Sequence, residues 1–170
     1  GEIRDAATDQ ALVGRPLVAT LKGDFPQQGV AGIKAELVID HTTREPVERM
    51  ELAVARYAVA GRSLVDSPSV TLGFAQAAAA AGFSAELRGD QVDLQLGTRF
   101  SGVSFETSAQ SPVVREMMAA SLAGLDKVTM DARVRGNWGD LDLQLSTDLG
   151  DALARGMKRY LQARMDEARK

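Results

Sequence analysis

The amino-acid sequence reads as an α+β protein, mainly β: a curved antiparallel meander sheet of about eight to nine strands with two amphipathic helices, at about 111–125 and 148–169. Three observations point there. Apolar and polar residues alternate with period two from residue 16 onward, the pattern of strands with one face buried. A phrase recurs in Leu21-Lys22-Gly23-Asp24, Leu87-Arg88-Gly89-Asp90 and Val134-Arg135-Gly136-Asn137, and after the second and third copies the chain resumes as Asp-Leu-Gln-Leu. Two segments break the alternation with helical spacing instead.

The elements follow in order. Glu2-Ile3-Arg4 reads as the end of a strand. Leu17, Ala19, Leu21, Gly23 and Phe25 share one face of the first long strand, and Ile33, Ala35, Leu37 and Ile39 do so on the next. Met50, Leu52 and Val54 give way to Tyr57 and Val59 by a change of face, which suggests a bulge near Ala55. Val70, Leu72 and Phe74 lead into the alanine tract Ala77 to Ala81, too short to propagate a helix and read as strand end plus turn. Phe83, Ala85 and Leu87 turn at Gly89-Asp90 into Val92, Leu94 and Leu96, the clearest hairpin in the chain. Val103 and Phe105 form a further strand, Val128 to Trp138 another, and Leu141, Leu143 and Leu145 complete the sheet. All three glycine phrases read as hairpin turns.

For the helices, Ser111 is a natural N-cap before Pro112, and Gly124 offers a stop after Val114, Met117, Met118 and Leu122. From Asp148, Leu149, Leu153, Met157, Tyr160, Leu161 and Met165 form a second stripe, with Asp148 expected to cap it.

At 170 residues the chain is expected to form a single domain, 1–170, and its start within a strand-like segment reads as a C-terminal fragment of a longer protein. With no cysteine, disulfides and thiolate chemistry are excluded, which does not identify a redox compartment. A net charge of −3 and the absence of a basic stripe argue against a nucleic-acid partner. The longest apolar run, Ala75 to Phe83, is interrupted by Gln76 and cannot span a bilayer.

Sites of chemistry are scarce. His41 is the sole histidine, and its neighbour Asp40 points to the opposite face of a strand, so a turn role is the better reading. Asp140, Asp142, Asp148 and Asp151 are explained by a polar sheet face and a helix cap. Gly89 lacks the surroundings of a phosphate loop. Arg155, Lys158, Arg159 and Arg164 read as a solvated helix face rather than a membrane-binding one. No catalytic residue, metal ligand or cofactor is expected, and the protein reads as no enzyme.

The closing passage Ala132-Arg133-Val134-Arg135-Gly136-Asn137-Trp138-Gly139-Asp140-Leu141-Asp142-Leu143-Gln144-Leu145-Ser146-Thr147-Asp148-Leu149-Gly150 resembles the C-terminal module of AsmA-like bacterial envelope proteins and of related uncharacterised β-groove families. The resemblance covers the last half of the chain, and the earlier strands match in style. It implies a β-sheet curled into an apolar groove, a periplasmic location with an inner-membrane anchor supplied by a segment outside this sequence, and a part in outer-membrane lipid homeostasis. It brings no catalytic residues. The sequence departs from the fullest members in its shortness and its two substantial helices.

Two functional expectations result. In the first, an apolar groove lined by Leu87, Leu94, Leu96, Phe105, Val134 and Leu143 takes lipid acyl chains. In the second, the chain caps a longer sheet, pairing its first strand with upstream repeats of the same protein and holding no ligand. What covers the apolar sheet face decides between them.

Overall fold

The computed structural model describes residues 1–7 and 9–169. Eight strands lie in sequence order in one open antiparallel sheet: β1 Glu2–Arg4, β2 Leu17–Phe25, β3 Val30–Asp40, β4 Val47–Asp66, β5 Val70–Arg88, β6 Gln91–Ala109, β7 Lys127–Asn137 and β8 Asp140–Thr147. A short helix α1 (Gln10–Val13) lies between β1 and β2, α2 (Pro112–Leu122) between β6 and β7, and α3 (Leu149–Ala168) after β8. The fold class read from the sequence is the one observed, with eight strands and α2 and α3 where the helical stripes place them.

The chain divides into two compact units. The first comprises residues 1–57, 80–98 and 130–146, and the second residues 58–79, 99–129 and 147–170, so that β4, β5, β6 and β7 contribute to both, as does β8 by its last residue. Of the eleven buried apolar residues among those described, ten belong to the second unit and only Val92 to the first. Phe74 centres the second unit's core, its ring 4.8 Å from Phe100 and 5.6 Å from Phe105 between centroids. Leu72 and Val128 from the strands, Leu122 from α2, and Leu149 and Ala152 from α3 are buried in the same unit. Helices α2 and α3 meet where Gly156 abuts Ser121, and a Cβ at Gly156 would land on the Ser121 backbone. Around this crossing Tyr160 donates its hydroxyl to Glu116 at 3.0 Å, and Arg164 reaches the same carboxylate at 3.0 Å.

Several local expectations are corrected. Ala77 to Ala81 is continuous strand inside β5, because ladder partners on neighbouring strands override the tract's helix propensity and Ala77 and Ala79 fit a crowded core. Of the three glycine phrases only Gly89-Asp90 is a turn. Gly23-Asp24 lies within β2 at a register shift, where the Asp24 carboxylate accepts from the Gly32 amide at 2.6 Å, and the chain turns at Pro26–Gly29 instead. Gly136 lies within β7 with φ +137, tight against the Asp140 carbonyl, and the turn follows at Trp138-Gly139. The β3–β4 register runs unshifted through Ile33↔Val54 and Ala31↔Arg56, so no bulge interrupts it at Ala55; the irregular residue is Gly32 opposite, with φ +66.

Candidate apolar groove

In the first unit the alternation sends one set of side chains to each face, and the register aligns them across strands. Leu21 faces Ala35, and Ala35 faces Leu52. Three successive residues from each of β2 to β8, centred on Leu21, Ala35, Leu52, Phe83, Leu96, Ala132 and Leu145, border one cavity of about 1010 Å³. Laid flat, seven strands ~4.8 Å apart would span about 29 Å, more than twice the width of a sphere of that volume. The sheet of this unit is therefore curled.

Both sets of side chains border this cavity: on each strand the central residue belongs to the apolar face and its two neighbours to the other. A second hollow of about 420 Å³ on the apolar face, between β1 and β4, is lined by Ile3, Ala19, Leu37 and Met50 and shares Leu21 and Ala35 with the first. The face is also open, since Leu21 is 51% exposed, Leu96 44%, Leu143 59% and Leu145 73%. Nothing among the described residues of this unit covers them.

The opposite face carries ion pairs between strands. Arg49 Nε lies 2.8 Å from the Glu86 carboxylate, which also receives Arg88 at 3.1 Å, while Asp93 receives Arg135 at 2.8 Å and Arg133 at 3.3 Å. The hydrogen bond from Arg49 holds the Glu86 carboxyl below the ordinary glutamate range. The sheet is thus amphipathic, with charge on one face and hydrocarbon on the other.

Of the residues expected to line a groove, Leu87, Leu94, Leu96, Val134 and Leu143 lie in this unit, and Phe105 lies in the other, packed on Phe74. Sequence reasoning passed over Leu21, Leu52, Phe83 and Leu145, each on the expected apolar face. Alternation identifies the face; the level at which strands align depends on register, which differs at every turn.

The candidate chemical residues do not converge. His41 is half-exposed, its Nε2 3.1 Å from Glu48 Oε1, and its amide donates to Gln10 Oε1 at 2.8 Å. Asp40 instead accepts from the Thr42 hydroxyl at 2.6 Å and amide at 3.0 Å, which lower its pKa. Asp142 accepts from Gln144 on the exposed strand β8. Asp148 occupies the expected N-cap position of α3, but its side chain does not cap the helix: its carboxylate accepts from the Thr129 amide at 2.8 Å, and Thr147 Oγ1 accepts from the Leu149 amide at 3.2 Å. Among the described residues no three His, Asp or Glu side chains are grouped to hold a metal ion, and no helix is long and apolar enough to cross a membrane. Comparison of the chain with protein-family models, curated proteins and solved structures returned no match.

Proposed function

We propose that the protein is a non-enzymatic cell-envelope module whose first unit holds lipid acyl chains against its open apolar face. The observation that carries this reading is the open row of Leu21, Leu96 and Leu145, 44 to 73% exposed, with the apolar hollow of about 420 Å³ beside it at Leu21. Each methylene moved from water onto that face contributes about 0.8 kcal/mol, so a chain of a dozen carbons binds without a charged anchor. Placement in the periplasm, with a membrane anchor outside this sequence, rests on the resemblance of residues 132–150 to AsmA-like modules.

The test is purification without detergent followed by organic extraction and lipid mass spectrometry, comparing the wild type with Leu96→Asp. Because Leu96 is 44% exposed, the substitution leaves the fold intact by circular dichroism while placing a carboxylate in the path of the chain. Lipid should leave the wild type and fall at least about tenfold in the variant. If none is extracted and none binds on addition of fatty acid or phospholipid, the reading fails. A second reading is favoured by β1, a three-residue strand exposed throughout at one end of the sheet, where upstream repeats could add as further strands. A capping module of that kind carries no lipid, so the same extraction separates the two.

A further inference from the structure

Strand β8 ends the sheet opposite β1, and all eight of its residues are exposed. A free edge is ordinarily guarded by lysine, proline or a covering element, and Asp-Leu-Asp-Leu-Gln-Leu-Ser-Thr contains neither residue. Its only charges, Asp140 and Asp142, occupy one half of the strand, and the other half is neutral. An antiparallel copy of the same strand would set the acidic half of each against the neutral half of the other.

We propose that β8 pairs antiparallel with β8 of a second copy of this chain, about a two-fold axis through Leu143. In that register Leu143 faces its own equivalent, Leu141 faces Leu145, Asp142 faces Gln144, and Asp140 faces Ser146. A slip of one residue would oppose leucines with polar side chains. A slip of two sets Asp142 against Asp142 in one direction and Leu141 against Thr147 in the other. The Gln144 amide already donates to Asp142 at 2.8 Å within one strand, and the pairing repeats that combination twice across the axis. Such an isologous contact closes at two copies and continues the apolar sheet face from one chain into the next. Head-to-tail pairing of β8 with the three residues of β1 would align far less strand and run on without closing.

Sedimentation velocity on the 170-residue chain across a concentration series tests the proposal. A dimer is expected, with Leu143→Lys monomeric because two ammonium groups then meet on the axis. Gln144→Lys, facing Asp142 twice, tightens the dimer about fivefold, and Gln144→Asp loosens it by about the same factor. The sites are exposed, so circular dichroism should not change. A wild type that stays monomeric, association indifferent to the two Gln144 variants, or weakening by Gln144→Lys would each overturn the proposal.

Discussion

Asp148 shows how a side chain's role depends on what lies across from it. By sequence it precedes α3 and fits an N-cap; in the fold its carboxylate spans to the Thr129 amide of β7, and Thr147 serves the first turn instead. Both assignments satisfy a backbone N–H, and only the proximity of β7 selects between them. Glu86 is a second case, invisible as a partner of Arg49 until β4 and β5 pair. Its carboxyl titrates below the ordinary range because Arg49 donates to the charged form. A depressed folded pKa contributes stability above the unfolded value, about 4.3, which is lost as pH falls through the folded one. The urea midpoint should therefore be steady near neutrality and drop below about pH 4.5, with part of that drop absent in Glu86→Gln. Both side chains are largely exposed, 54% for Arg49 and 41% for Glu86, so solvent screening keeps the part assignable to this pair small. Equal acid sensitivity in both proteins would show that the pair contributes nothing.

At the scale of elements, α3 depends on two glycines of opposite character. Gly150 has open space where a Cβ would stand, whereas Gly156 lies against the Ser121 backbone of α2. Gly150→Ala should raise stability by up to about 1 kcal/mol through helix propensity alone. Gly156→Ala gains the same propensity but must push α2 and α3 apart, for a net loss of about 1–3 kcal/mol. Thermal melts of the two variants should move in opposite directions; a shared direction would mean that the helix contact yields freely. Amphipathic spacing made both helices legible, and Pro112 marked the start of α2. The close approach was not legible, because a glycine in a helix reads as a weakness until its neighbour is known. β5 shows the converse: its alanine tract favours helix locally and is held extended by ladder partners on either side.

On the scale of the whole molecule, the same strands enter two units that are finished differently. Where α2 and α3 are present the apolar residues form a closed core around Phe74, and in the first unit the same alternation leaves an open face. Because β4, β5, β6 and β7 belong to both units, loss of the core should be felt along their full length. Phe74→Ala, at a site 2% exposed, should cost about 3–5 kcal/mol and speed hydrogen exchange at amides 92–96 of the first unit as well as around the mutation. Exchange that rises only in the second unit would show that the two unfold separately. An open apolar face needs such an anchor, since surface in contact with water contributes nothing to folding.

Periodicity in the sequence is enough to specify a meander of amphipathic strands with two helices, and the apolar side of most strands. Those properties follow from local periodicity, which each segment carries alone. It takes the folded chain to show that Phe105 joins a covered core while Leu96 and Leu143 stand open, although all three are apolar residues of alternating strands. Burial depends on register, curl and where the helices return, and those are set by contacts between residues far apart in the chain.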